Sequence, residues 1–226
     1  MSQYVQKMFA SIADKYDLLN DVLSFGIHKW WRRKSVMLSE PQIDSKILDI
    51  ACGTGDFSFE FERYSKNVIG LDFCEEMLEI ARQKAEKRNS SIKFIQGDAL
   101  KLPFSDNQFD IVSIGFGIRN VDDVQKSIQE IHRVLKKGGR AVILEFGKPK
   151  NPIMRLIYGF YSNYIMPLIG KLLAKSKEAY TYLPVTANKF PCREDFLKIV
   201  QNSANFSKLK YYSLNFGIAY IYLLKK

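Results

Sequence analysis

The sequence predicts an α/β domain whose sheet is mostly parallel and finishes in an antiparallel hairpin at one edge. From Ser45 onward, short β-branched runs alternate with helical patterns, as consecutive βαβ units do. The chain closes on two aromatic and β-branched runs around "NFG" (215–217), a composition suited to paired strands. Between these lies "LDIACGTGD" (48–56), a glycine turn where the first strand passes into a helix.

Taken in order, residues 4–33 read as helical pieces broken near Gly26, carrying His28 and both tryptophans, Trp30 and Trp31. "KILDIA" (46–51) is the first strand, nearly all apolar, as a parallel strand covered on both faces must be. "NVIGLD" (67–72), "IKFIQG" (92–97), "FDIVSIG" (109–115) and "RAVILEF" (140–146) come next as strands two to five. Glu75–Asn89 and Asp122–Leu135 place apolar residues at helical spacing, for example Met77, Leu78, Ala81 and Ala85. "KKGG" (136–139) is expected to end the second of these helices, with cations in its last turn and glycine as C-cap. Ile153–Lys175 is rich in Ile, Leu, Met and Tyr, interrupted by Pro167 and two glycines. "KLKYYSLNFGIAYIYLLKK" (208–226) completes a seven-stranded sheet. The 226 residues suit one domain. Its expected parts are a helical lid (1–44), a ligand-binding core (45–150), a helical insertion (151–207) and the terminal hairpin (208–226).

Three cysteines (Cys52, Cys74, Cys192) make an odd count with no C-x-x-C pair, which signals neither a disulfide framework nor a zinc site and fits a reducing cytoplasm. No metal-ligand cluster is expected. "MSQYVQKMFASIADKYD" lacks the apolar stretch of a secretory signal. The net charge of +10, 34 Lys+Arg against 24 Asp+Glu, favours a polyanionic partner, either nucleic acid or an anionic membrane surface.

The glycine turn carries the chemistry. Small residues there let a ligand approach the backbone, and the helix after it offers N–H groups. Asp72 closes strand two, 19 residues after Gly53, where an acid accepts hydrogen bonds from both ribose hydroxyls of a nucleoside. Gly53-Thr54-Gly55 lacks the third glycine of a dinucleotide fingerprint. The acidic Asp49 inside strand one suits a cationic ligand better than a pyrophosphate. This D-x-x-x-G-x-G pattern with a later Asp resembles the S-adenosylmethionine-binding motif of class I methyltransferases, and implies their Rossmann-like fold. "QGDALKLPFSDNQFDIV" (96–112) runs the course of such enzymes, with Asp98 and Ala99 at the place that meets the adenine amino group.

After strand four the chain reads "SIGFGIRNV" (113–121), without the prolines of base-amine methyltransferases, and its one Pro-Cys (191–192) lies far downstream. A nucleic-acid substrate is therefore not expected. "KYDLLNDVLSFGIHKWWRR" (15–33), "FGIRNV" (116–121) and "RVLKKGGRAVILEFGKP" (133–149) resemble signatures of the ubiquinone/menaquinone biosynthesis C-methyltransferases, and "YLPVTANKFPCREDFLKIV" (182–200) fits that family's segment before the terminal hairpin.

The resemblance implies cofactor contacts at Thr54, Asp72, Asp98, Ala99 and Gly115, beside Gly53, Gly55 and Asp49 from the loop itself. Asp98 stands where the family often has Asn, and Gly115 where some members have Ser. The implied reaction is methyl transfer to a ring carbon of a polyprenylated quinol, demethylmenaquinol or its benzoquinol counterpart, without a metal. Arg119 is expected to stabilise the phenolate, an arginine being too basic to act as the base at neutral pH. Asn120 is expected to orient a water or the quinol, and His28 is the alternative base. Phe25, Ile27 and Trp30 are expected to wall the isoprenoid. Leu156–Gly170 is uncharged over 15 residues, too short to span a bilayer at about 20 residues. With Tyr158, Tyr161 and Tyr164, and with Arg155, Lys171, Lys175 and Lys177 around it, the run suits a peripheral contact with an anionic membrane. A homo-oligomer is compatible with the sequence. Other readings left open are methylation of a different lipophilic acceptor and a silent S-adenosylmethionine-binding module.

Overall fold

The computed structural model describes residues 3–169 and 177–226. Five strands run parallel: β1 (Ile47–Ile50), β2 (Val68–Asp72), β3 (Lys93–Gln96), β4 (Phe109–Gly115) and β5 (Leu135–Phe146). The last two, β6 (Lys208–Leu214) and β7 (Ala219–Lys225), are antiparallel, and β7 is the inner one. Across the sheet the order is β3-β2-β1-β4-β5-β7-β6.

Every residue of β1 is buried, because helices cover both faces. Side-chain alternation then deals successive residues to two cores. Leu48 and Ile50 join Ile114, Ile143, Ile128 and Phe196 on one face; Ile47 joins Ile111, Val142, Leu78 and Phe61 on the other. The first face is roofed by α6 (Val124–Val134) and by a C-terminal helix over Glu194–Ser203. On the second lie α3 (Ile27–Ser39), α4 (Asp56–Glu62) and α5 (Glu75–Lys87). Two earlier helices, α1 (Gln3–Ile12) and α2 (Tyr16–Ser24), form a separate cluster with Met166, through Val5, Met8, Ile12, Leu19 and Leu23.

That division corrects the expected lid of residues 1–44. The chain breaks at Phe25 (φ 51°) and Gly26 (φ 73°). Helix α3, on the far side of the break, belongs to the sheet layer, since its Trp31 and Val36 are buried against it. Only the segment before Gly26 is free of the sheet core.

"KKGG" is a second correction. α6 ends at Val134 with His132 and Arg133 in its last turn, and Leu135 already pairs with Phe109 as the start of β5. Register shifts between Phe109 and Ile111, and Gly138 donates its N–H to the carbonyl of Lys226. Glycine here serves a bulge near the start of the inner strand β5, not a helix cap. Lys136 pairs with Asp110 on the neighbouring strand at 2.7 Å.

Beyond β5, α7 (Pro152–Phe160) leads into a π-helical turn over Tyr161–Ile165. Pro167 lacks the N–H a regular turn would need, and the widened turn directly precedes it. Gly170, Lys171 and Lys175 of the predicted membrane-facing run lie outside the described residues. Downstream are α8 (Lys177–Lys189) and α9 (Glu194–Ser203). All three cysteines are buried and unpaired.

Candidate active site

The chain winds away from β1 in both directions, to β2 on one side and to β4 on the other. The crevice of such a sheet opens at the C-terminal ends of those strands, where the glycine turn sits. Its two glycines do different work. A Cβ on Gly53 (φ 55°) would meet nothing within 4 Å, whereas one on Gly55 (φ 86°) would lie 2.8 Å from Cζ of Phe94. Gly53 therefore leaves the backbone open to a ligand, and Gly55 lets the turn close on β3.

Asp72 braces this turn. Its Oδ2 accepts from the N–H of Gly53 at 2.8 Å and its Oδ1 from that of Cys74 at 2.9 Å. Burial pushes its carboxyl up, against the pull of those backbone donors. Both oxygens keep a lone pair for a ribose hydroxyl. Farther along the edge, an open groove of about 340 Å³ is lined by Phe73, Gln96, Gly97 and Asp98. Asp98 accepts from the N–H of Leu100 at 2.9 Å, and Ala99 packs into the core beneath it. At Gly115 a Cβ would sit 2.8 Å from the ring of Phe57, which is why this chain carries glycine there.

Asp49 departs from expectation. It is fully buried, and its two oxygens accept from the hydroxyls of Ser58 at 2.6 Å and Ser113 at 2.7 Å. It lies under the turn as a brace, with its carboxyl raised to about 6 by burial, and not as an open anion for a cationic ligand. The seven-residue α4 carries the chain's own Asp56 in its first turn.

Thr54 ties the turn to the N-terminal cover. Its hydroxyl donates to Oδ1 of Asp17 on α2 at 2.5 Å, and Lys84 reaches Oδ2 of Asp17 at 2.8 Å and Asp56 at 2.6 Å. Arg32 stands 3.7 Å from Asp56.

Above the turn is a cavity of about 650 Å³, walled by α1, α2, the start of α3, α7 and the ends of β4 and β5. Its lining is aliphatic and aromatic apart from a few polar groups, chiefly Arg119, Arg32, His28 and Asn20. Arg119 comes after β4 on a single 3₁₀ turn (Ile118–Asn120). Its Nη1 donates to Glu145 at 2.7 Å and to the carbonyl of Phe116 at 2.6 Å, while its Nε is buried without a hydrogen-bond partner. The guanidinium also lies 5.4 Å over the ring of Phe146. Glu145 is wholly buried; burial pushes its carboxyl up and the Arg119 charge pulls it back. Beside them Tyr158 is raised to about 12 by burial, Arg119 opposing.

Asn120 is not on the cavity wall. Its Oδ1 accepts from Tyr182 at 3.2 Å and its Nδ2 donates to Phe116 at 3.4 Å, so it clamps the loop to α8. His28 is on the wall, but neither nitrogen is free. Arg32 can only donate, so Nδ1 accepts from it and Nε2 donates to Asp21 at 2.7 Å. Burial and Arg32 together lower its pKa. An imidazole whose lone pair is already taken is a latch, not a base.

Of the expected isoprenoid wall, Phe25 and Ile27 line the cavity. Trp30 does not: it is 49% exposed and stacks under Lys34. Helical spacing turns Trp31 inward instead, where its indole donates to Asn215 at 2.7 Å and packs on Phe116 and Phe146. Glu145, Asp17 and Lys84 also join the site, each through a partner distant in the sequence. The one legible signal was a carboxylate inside the otherwise apolar run "RAVILEF".

A crevice of this kind, a nucleoside-sized groove running off a glycine turn and an inner reversed β7, defines a class I S-adenosylmethionine-dependent methyltransferase. A solved SAM-dependent methyltransferase from Thermotoga maritima superposes with TM-score 0.70 at 20% identity, covering 97% of this chain and 99% of that one. The phosphoethanolamine N-methyltransferase 2 of Haemonchus contortus, solved with S-adenosylhomocysteine, has TM-score 0.59 at 19% identity over 81% of this chain and 39% of that one. In sequence, the ubiquinone/menaquinone biosynthesis C-methyltransferase UbiE of Bdellovibrio bacteriovorus is 45% identical over 222 residues, 97% of this chain and 94% of that protein. The demethylmenaquinone methyltransferase of Staphylococcus carnosus is 42% identical over 97% of this chain and 91% of its own. The pattern of the ubiE/COQ5 methyltransferase family matches residues 1–226. The chain belongs to that family.

Proposed function

We propose that this enzyme methylates a ring carbon of a polyprenylated quinol, demethylmenaquinol in the first instance and the benzoquinol of ubiquinone synthesis as a second acceptor. The observation that carries the reading is the 650 Å³ apolar cavity with the buried Arg119 set in its wall directly after β4. An apolar pocket with few polar groups suits a lipophilic ligand held by one polar end.

When bound, S-adenosylmethionine supplies an electrophilic sulfonium methyl, to be taken by a nucleophilic ring carbon with one proton released overall. The turn fits that cofactor, since Gly53 is open above and Asp72 presents two oxygens beside it. Arg119, on the cavity wall, supplies the positive charge that stabilises the phenolate and so activates the neighbouring carbon. Glu145 holds the guanidinium in place, and Asn120 holds the loop. Water accepts the proton, since Arg119 cannot and His28 is engaged. Trp31, Phe116 and Phe146 exclude bulk solvent from the reacting face.

No helix among the described residues is long and apolar enough to cross a membrane, and among them no group of three metal-binding side chains occurs. Access to a bilayer-dissolved quinol is proposed through α7, none of whose residues is buried and whose Ile153, Leu156 and Phe160 are exposed. The test supplies methyl-labelled S-adenosylmethionine with detergent-dispersed demethylnaphthoquinol and its benzoquinol analogue. Label on a ring carbon by mass spectrometry supports the reading; label on neither, with the cofactor still bound, overturns it.

A further inference from the structure

We infer that the cavity has a tail portal formed by Phe25, Ile157 and Tyr161, through which the isoprenoid chain of the substrate leaves the protein. The inference rests on the quinol reading above. A cavity of about 650 Å³ is of the size that encloses a drug-sized ligand, a quinol head with a few isoprene units. A longer chain has to exit.

The exit is marked by side chains that belong at once to the cavity wall and to the surface. Phe25 lines the cavity and is 85% exposed; Ile157 lines it and is 56% exposed. Between them stands Tyr161, whose ring lies 6.2 Å from that of Phe25 and whose hydroxyl donates to the carbonyl of Leu23 at 2.7 Å. That bond ties the end of α7 to the end of α2 and leaves the gap flanked by aromatic and aliphatic groups. Outside it, Ile153, Leu156 and Phe160 continue the apolar surface along α7, so a chain leaving the gap stays on hydrocarbon.

Phe25 adds an independent sign. It occupies the left-handed cap of α2 at φ 51°, a conformation disfavoured for a bulky residue and natural for glycine. It also holds its ring in solvent. Both features oppose folding, and strain of this kind collects at functional positions. Phe25→Gly is therefore expected to raise the thermal midpoint while it harms tail handling, a pairing that a purely structural role for Phe25 does not produce.

The experiment measures kcat/KM with saturating S-adenosylmethionine on two detergent-dispersed demethylnaphthoquinols, one with a single prenyl unit and one with a tail too long for the cavity. Phe25→Gly and Ile157→Asp are each expected to lower the long-to-short ratio by at least about tenfold, with the surface variant Ile43→Asp leaving that ratio as in the parent. An unchanged ratio in both portal variants overturns the portal. If the parent enzyme methylates neither quinol, the quinol reading itself fails. If it methylates both and only the ratio stays flat, the portal alone fails.

Discussion

Replacing Glu145 by methionine removes one half of a buried ion pair while keeping the side-chain volume close to that of glutamate. In the folded protein Glu145 accepts from Nη1 of Arg119 at 2.7 Å and from the N–H of Phe146 at 2.8 Å. Both side chains are almost wholly out of water, at 5% and 1% exposure. Breaking such a pair strands a charge in low dielectric and costs about 3–5 kcal/mol. For a chain of 226 residues each kcal/mol moves the thermal midpoint by about 2–4 °C, so Glu145→Met should melt about 6–20 °C lower. Arg119→Met should be destabilised for the same reason. The double variant Arg119→Met/Glu145→Met leaves no stranded charge and should recover most of the loss, since apolar replacement of a whole buried pair is often neutral or better. Turnover should stay lost in all three, with S-adenosylmethionine affinity nearly intact, because neither residue touches the glycine turn. The assays are urea unfolding with a double-mutant cycle, calorimetric cofactor binding and labelled methyl transfer. A double variant no more stable than the singles would refute the reasoning, as would a Glu145→Met protein that melts with the parent.

Asp49 makes stability depend on pH. Its carboxyl is raised to about 6 in the fold, so the folded state holds that proton more tightly than the unfolded one. The stabilisation is complete below about pH 4 and disappears as pH rises through about 6. Relative to the parent, Asp49→Asn should therefore gain about 3 kcal/mol between about pH 4 and pH 7 in urea unfolding; a pH-independent difference would count against it. Gly115→Ser drives a Cβ into the Phe57 ring now 2.8 Å away and should lose about 1–3 kcal/mol by overpacking. A second change, Phe57→Leu, should restore part of this in the same denaturation assay. Removing residues 1–24 should abolish turnover and leave a cooperative melt, because that segment forms its own cluster. Removing residues 1–39 should destroy the melt, since Trp31 and Val36 are buried in the sheet core. Equal behaviour of the two truncations by circular dichroism would contradict the division at Gly26.

Much of the fold was legible because it rests on local pattern. An unbroken apolar run such as "KILDIA" has one stable placement, inside a sheet covered twice. Glycines at a strand-to-helix turn, with an acid closing the next strand, lie close enough along the chain to be read from spacing. So the sequence alone determined the seven-stranded sheet, the glycine turn and the positions of Asp72, Asp98 and Arg119. It could not show which side chains are already engaged, because that depends on partners distant in the chain. Asp49 reads as available in the sequence, but Ser58 and Ser113 occupy its oxygens; His28 reads as a base, but Arg32 and Asp21 occupy both nitrogens. The choice between Trp30 and Trp31 was one helical step of about 100°, resolved only when α3 packed against the sheet. Glu145 meets Arg119 across 26 residues, and Asp17 meets Thr54 across 37. Hydrogen bonds and burial between such remote segments exist only once the chain has closed on itself, and it is they that separate the groups facing the cavity from those that hold it in shape.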